Sequence, residues 1–240
     1  MSSLYAWALS RSRLPDDTTS PVIDAYKPDR AKSRDRALSE PEIAAVWRAA
    51  LADTGQREGF GDIVRLLLLT GCRRDEIGRL RWSEVNWDAR MLSFDGNRTK
   101  NGLPLLVPLS DTALRILRDR LAATGAGVGR DAPVFGRGGR NGSPARGFSG
   151  WSLAHARLER AAGIAPWTLH DLRRTFSTQC NELRLAEPQV IEVALNHISG
   201  RDRQGVAGIY NRSLHLPERV RLYDRWAQHV AAIVAAHAPS

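Results

Sequence analysis

The sequence predicts a mixed α+β fold, mostly α-helical with a small antiparallel β-sheet, and three observations carry that prediction. Apolar residues recur at spacings of three and four along most of the chain, in blocks that open on capping residues such as Ser39 and Ser110 and stop on residues such as Gly71. One pair of short β-prone runs, Arg90 to Phe94 and Leu103 to Leu109, flanks a turn containing Gly, Asn and Lys, the pattern of a hairpin. Hydrophobic residues make up 42% of 240 positions, ordinary for a chain that buries a real core.

The first residues stand apart from this pattern. Leu4 to Leu9 is a short apolar segment with Trp7, and the stretch after it, with Pro15, Pro21, Pro28 and a charged run from Asp29 to Arg36, reads as a linker. Ser39-Glu40-Pro41-Glu42 is a capping box, which predicts a helix to about Leu51 with Ile43, Val46 and Trp47 on its buried stripe. A second apolar helix from Gly61 or Asp62 to Thr70 should stop at Gly71, a residue suited to the left-handed turn after a helix. Asp75 suits the N-cap of a further short helix ending near Leu80. Arg73 then lies in the turn between two helices, where a guanidinium can be aimed and Glu76 can orient it. Taken alone, Arg73 also fits the plainer role of satisfying the end of the previous helix.

In the hairpin, Pro104 and Pro108 make the second strand an edge. Lysine occurs only at Lys27, Lys32 and Lys100, arginine supplying the rest of the basic charge, so a lysine at the hairpin turn is conspicuous. Its ammonium is compact and can donate a proton, which guanidinium does poorly; a solvated turn lysine is the default for the position by itself. Ser110-Asp111 caps a helix through about Ala122. The Gly-, Arg- and Pro-rich stretch from Thr124 to Arg146 reads as a mobile basic loop, interrupted by Pro133-Val134-Phe135 as a third strand or a docked loop. No G-x-x-x-x-G-K pattern makes it a phosphate cradle.

A helix from about Ser149 to Ala162 precedes the stretch Trp167-Thr168-Leu169-His170-Asp171-Leu172-Arg173-Arg174-Thr175-Phe176-Ser177-Thr178. His170 and Arg173 lie one turn apart on a shared face, with Leu169, Leu172 and Phe176 expected to bury the opposite one, so that imidazole and guanidinium point away from the core. The pair suits an anion, although for the stretch taken alone a solvated helix face with a lone His is the commoner use of such residues. Pro188 is a good first-turn residue for a helix over Val190 to Leu195 that ends on His197. Ile198 to Gly205 is polar, and Val206 to Asn211 is a short apolar helical turn presenting Tyr210. The chain closes on an amphipathic helix with Leu216, Val220, Trp226, Val230 and Ile233 on its apolar stripe and Tyr223 packing beside them.

The formal charge of +9, almost wholly from arginine, indicates a polyanionic partner, most plausibly nucleic acid. Cys72 and Cys180 have no zinc-like spacing and make no disulfide framework, which fits a reducing cytoplasm. The longest apolar run, Ile63 to Leu69 broken by Arg65, is too short to span a bilayer, and Met1 to Ser20 lacks a signal-peptide apolar region, so a soluble, cytoplasmic protein is expected with no membrane partner.

Thr70-Gly71-Cys72-Arg73-Arg74-Asp75-Glu76, Thr99-Lys100 before an extended segment, the His170-x-x-Arg173 pair, Leu195-Asn196-His197 and Ile209-Tyr210-Asn211-Arg212 occur together in this order. In that arrangement the chain resembles the tyrosine recombinase (phage integrase) family from about Ser39 to the final helix. The resemblance implies the catalytic-domain fold of that family over residues 38–240. It implies that residues 1–37 are linker and the remnant of a preceding helical core-binding domain, as in a truncated integrase. It also implies the catalytic set Arg73, Lys100, His170, Arg173, His197 and Tyr210, with Glu76 in support, and neither metal nor cofactor nor ATP. Arg73 and Arg173 would clamp the non-bridging oxygens of a scissile phosphate with His197 adding a hydrogen bond. Tyr210 would attack to leave a 3′-phosphotyrosyl link, Lys100 would protonate the leaving 5′-oxygen and His170 would help take the tyrosine proton. The implied partners are double-stranded DNA and further copies of the chain, as a homo-tetramer on paired recombination sites. Members of the family usually have fewer residues between this His and the Tyr, so Tyr210 is expected on a longer tether. Two other readings use the same residues differently: a type IB topoisomerase relaxes DNA by the same chemistry, and a catalytically inactive remnant only binds it. A helix-turn-helix regulator would leave Lys100, His170 and Tyr210 idle.

Overall fold

Two structural units, Met1–Asp35 and Arg36–Ser240, divide the computed structural model of the chain. It describes residues 7–11, 13, 15, 18, 36–53, 59–125, 127–136, 147–197 and 215–238. In the first unit residues 7–10 are helical, and Arg13 lies over the Trp7 ring. The stretch 198–214, on which the expected Tyr210 helical turn falls, lies outside the described residues, as do Tyr5, Tyr26 and residues 137–146 of the expected basic loop.

The second unit is built on a helix that is apolar nearly all round. Helix α1 spans Glu40–Ala52, opened by the expected box in which Glu42 accepts the Ser39 N–H at 2.9 Å. Helix α2, Phe60–Thr70, carries Ile63, Val64 and Leu66 to Leu69 within 1% of full burial, as a helix surrounded by others must. It ends at Gly71, whose φ of 60° is left-handed and whose Cβ, were there one, would sit 2.9 Å from the Phe176 ring. Glycine meets both constraints at once.

Helix α3 is Arg74–Gly78, and its N-cap is Arg73 rather than Asp75. The reason is the acceptor: the Glu76 carboxylate takes the Arg73 backbone N–H at 2.6 Å, anchoring the first turn two residues earlier. A short 3₁₀ turn at Trp82–Glu84 leads to strand β1, Val85–Asn86, which the sequence did not announce. Strands β2, Met91–Phe94, and β3, Leu105–Pro108, form the expected antiparallel hairpin, in the order β1-β2-β3, so the proline-bearing strand is an edge as predicted. Pro133-Val134-Phe135 is a docked loop, not a strand. Val134 donates to Leu80 O at 2.8 Å and accepts from Arg120 Nε at 3.0 Å, with Val134 and Phe135 fully buried. This part of the expected mobile loop is therefore pinned to the fold.

Helices α4, Asp111–Thr124, and α5, Trp151–Ala162, match their predicted spans, with Ser110 capping the first at Ala113 N and left-handed Gly150 preceding the second. Helix α6, Leu169–Glu182, opens on Thr168, whose N–H is taken by the buried Asp171 carboxylate at 2.8 Å. Helix α7, Pro188–Ala194, has its proline in the first turn. Helix α8, Leu216–Ala236, buries Leu222, Tyr223, Trp226, Val230 and Ile233, but Val220 is exposed and Arg219 holds the inward position beside it, donating to Leu106 O. The true stripe runs 219, 223, 226, 230, 233, and Val220 lies at its margin. Among the described residues no helix is long and apolar enough to cross a membrane.

Candidate active site

Three chain segments bring Arg73, Lys100, and the helical pair His170 and Arg173 to the wall of one cleft of about 1010 Å³, and a fourth brings His197 into contact with Arg173. The cleft lies where α2 ends, the β2–β3 hairpin tip projects and α6 begins.

Arg173 is the centre of the cluster and, contrary to the expectation of a face turned from the core, it is buried, with only 4% of its surface exposed. It lies four residues after Leu169 and three before Phe176, on their stripe rather than opposite it. What makes a buried guanidinium acceptable is that two helices end on it. Nη1 donates to Gly71 O, just past α2, at 2.6 Å, and Nη2 donates to Leu195 O, just past α7. Both carbonyls are orphans of a helix C-terminus, where the helix dipole favours a cation. Burial, and then the charge of Arg73, push the Arg173 pKa below its ordinary value.

His197 completes the Arg173 environment. Its Nε2 lies 2.9 Å from Arg173 Nη2, and its Nδ1 lies 3.1 Å from Glu192 Oε2. Arginine can only donate, so Nε2 accepts, and Nδ1 carries the proton and donates to Glu192. Partial burial and then the Arg173 charge hold the His197 pKa below its ordinary value, with Glu192 opposing. Glu192 also takes the His197 backbone N–H on its own carbonyl at 2.9 Å. Sequence reading missed Glu192. It reaches a residue five positions on only because Asn196, at a φ of 52°, turns the chain back.

Arg73 is half-buried and held as expected. Its Nη1 donates to Glu76 Oε1 at 2.9 Å, while Glu76 itself is 2% exposed. The carboxylate thus grips both the backbone and the side chain of one residue, aiming the remaining guanidinium nitrogens. His170, in the first turn of α6, is exposed. Partial desolvation, followed by the positive charges of Arg174 and Arg173, lowers its pKa, which favours the neutral ring. Lys100 is exposed at the hairpin tip, past Thr99, whose hydroxyl closes the turn onto Leu103 O at 2.7 Å. Arg98, at the base of that tip, is paired with Glu84 at 2.7 Å and donates to Arg79 O at 3.0 Å, fixing one side of the hairpin to the α3 region.

The opposite wall was not foreseen either. Arg74 lies over the Trp151 ring at 5.2 Å, and His155 packs on Trp167 with ring centroids 4.6 Å apart. Gly78 lets Trp151 approach, since a Cβ there would meet the indole at 2.4 Å. Cys72, at the cleft floor, is buried, and desolvation pushes its thiol up to about 12, so it is no nucleophile. Tyr223 is buried as expected, its hydroxyl donating to Ala194 O at 3.3 Å, and burial raises its pKa further from reach. Among the described residues no cluster of His, Cys, Asp and Glu has the form of a metal site. Tyr210 lies outside the described residues.

The chain belongs to the phage integrase family, which it matches over residues 56–214. It is 29% identical over 226 residues to prophage integrase IntZ of Escherichia coli strain K12, an alignment covering 91% of this chain and 51% of that protein. This chain thus spans about half the length of that relative. The integrase from mycobacterium phage Brujita shares its fold at a TM-score of 0.56 and 16% identity, covering 97% of this chain and 73% of that one. A lambda integrase tetramer bound to a Holliday junction does so at 0.52 and 16%, covering 85% and 58%. The α+β architecture with its small antiparallel sheet is accordingly that of the tyrosine recombinase catalytic domain.

Proposed function

We propose that this chain carries out the cleavage and rejoining steps of a site-specific tyrosine recombinase on double-stranded DNA, with residues 38–240 as the catalytic domain and residues 1–37 as linker and the remnant of a helical core-binding domain. The observation that carries the reading is the convergence of Arg73, Lys100, His170 and Arg173 on one cleft, with His197 in contact with Arg173. A cluster of cations with a neutral imidazole, in which a carboxylate orients Arg73 and two helix ends orient Arg173, suits a phosphodiester whose charge grows in the transition state.

In the proposed reaction Arg73 and Arg173 bind the non-bridging oxygens, and His197, which takes up a proton from solvent at Nε2 when DNA binds, donates a further hydrogen bond from that nitrogen. The Tyr210 phenol oxygen forms a bond to phosphorus as the bond from phosphorus to the 5′-oxygen breaks. The phenol proton passes to neutral His170, and Lys100 donates a proton to the departing 5′-oxygen. A free phenol has a pKa near about 10, so its attack at neutral pH depends on this base and on the local positive field. The phosphotyrosyl link conserves the bond energy, which lets the strand rejoin to a new 5′-hydroxyl without ATP. The lambda integrase tetramer on a junction supports pairing of four copies of this chain during exchange. Phage and prophage integrases among the relatives favour exchange over simple relaxation.

The test is a nicked suicide substrate that traps the covalent adduct, followed by peptide mass mapping. Tyr210 is expected to carry the DNA, and Tyr210→Phe, which keeps the ring and removes the nucleophile, is expected to abolish the adduct. An adduct on Tyr223, or one that survives Tyr210→Phe, refutes the assignment. No adduct under any condition, including with an upstream core-binding module supplied, favours the DNA-binding remnant instead.

A further inference from the structure

Asn101 follows Lys100 at the hairpin tip, and Asn196 precedes His197 at the end of α7. The two side chains meet across 95 positions of sequence. Asn101 Nδ2 donates to Asn196 Oδ1 and to Asn196 O, each at 3.0 Å, and Asn196 Nδ2 donates back to Asn101 Oδ1 at 3.1 Å. Asn101 Oδ1 also accepts the Leu103 N–H at 3.2 Å, so the same amide closes the hairpin turn. Asn196 is 3% exposed and stands at a φ of 52°, a left-handed conformation that asparagine tolerates better than most residues. One residue therefore makes the turn that presents His197 and offers the amide that grips the hairpin.

The grip matters because of where the sheet ends. The β2–β3 pairing stops at Phe94↔Leu105, and Lys100 lies midway along the tip beyond it. On one side Arg98 ties that tip to Glu84 and Arg79. On the other, Asn101 ties it to the turn bearing His197. Mutually satisfied amides, one of them buried, hold a relative position that a solvated lysine stem does not hold for itself.

We propose that Asn101 and Asn196 form a latch coupling the Lys100 hairpin to the His197 turn, making both asparagines positioning residues for proton delivery to the leaving 5′-oxygen. The proposal rests on the reading of Lys100 as the general acid given above. The latch sets the distance between the ammonium and a phosphate bound at Arg173 and His197, and a misplacement of about 1 Å can cost on the order of 10² in rate.

The experiment compares an ordinary nicked substrate with one whose 5′-bridging oxygen at the scissile phosphate is sulfur, using the parent chain, Lys100→Ala, Asn101→Ala and Asn196→Gly. A thiolate leaves without a proton, so sulfur makes a general acid dispensable and does nothing for a damaged fold. Asn101→Ala is expected to slow adduct formation on the oxygen substrate by about 10- to 100-fold and to recover near the parent rate on sulfur. Asn196→Gly keeps the left-handed backbone and the Asn196 carbonyl while removing the amide, so it should show a smaller loss with the same recovery. It also decides the matter if Asn101→Ala fails to fold. Equal losses on both substrates, or no loss on either, overturn the latch. If Lys100→Ala recovers on sulfur while the asparagine variants do not, the latch falls alone. If Lys100→Ala does not recover, or the parent gives no adduct, the general-acid reading falls and takes the latch with it.

Discussion

Arg173→Lys separates what the guanidinium does for the fold from what it does for the phosphate. In the free protein the side chain donates to two carbonyls, Gly71 O and Leu195 O, and to His197 Nε2, all from a position 4% exposed. A lysine stem ending in a single ammonium has no fork to span two helix ends, so at least one buried carbonyl loses its donor, at a cost of about 1–3 kcal/mol. A domain of this size loses roughly 2–4 °C in melting temperature per kcal/mol, which places the expected drop at about 2–12 °C. Arg73→Lys is the internal comparison. Its side-chain ion pair is the single contact of Nη1 with Glu76, which an ammonium can reproduce, and the Glu76 grip on the backbone N–H is untouched, so a shift below about 0.5 kcal/mol is expected. Both variants should lose cleavage, since neither retains a bidentate clamp. Thermal melts followed by circular dichroism, alongside the adduct assay, make the comparison. An Arg173→Lys protein that melts with its parent, or an equal drop for Arg73→Lys, would refute the idea that Arg173 is anchored by two helix termini.

Two further outcomes follow from the charges around the cleft. DNA binding should take up about one proton, because His197 accepts at Nε2 in the free protein and must carry a proton there to donate to phosphate. Its pKa, held below the ordinary value of about 6.5 when free, rises once the ring lies between Glu192 and an anion, so affinity strengthens as pH falls through that interval. Calorimetry in buffers of different ionisation enthalpy measures the uptake; binding without it, or undiminished uptake in Glu192→Gln, contradicts the tautomer argued here. Binding should also weaken with salt at a slope of about −0.9 per neutralised phosphate, and Arg74→Ala at the cleft wall should reduce that slope by about one phosphate. An unchanged slope places Arg74 off the DNA path.

The sequence by itself determined several features that depend on partners a few residues apart, although it put the α3 N-cap at Asp75 where the Glu76 carboxylate sets it at Arg73. The capping box at Ser39, the Ser110 cap and the stop at Gly71 are hydrogen bonds or backbone conformations closed within one turn, so residue type and spacing suffice to read them. The edge strand follows from prolines that cannot donate, and the Arg73–Glu76 pair from a separation of three. The set implied by the family resemblance includes the residues that meet in space, Arg73, Lys100, His170 and Arg173 at the cleft and His197 beside Arg173, while Tyr210 lies outside the described residues. Tertiary structure decided which faces those residues occupy and what they touch. Arg173 was read as turned outward because Leu169, Leu172 and Phe176 were expected to bury the opposite face; it is inward because the ends of α2 and α7 converge there, and no local pattern reports where another helix stops. Val220 lost its place on the α8 stripe to Arg219 for the same reason, since Leu106 O offers an acceptor on the inner side. Asn101 and Asn196, and Glu192 with His197, are contacts made by chain reversal rather than by periodicity, and sequence spacing carries no trace of a partner that only folding brings within 3 Å or so.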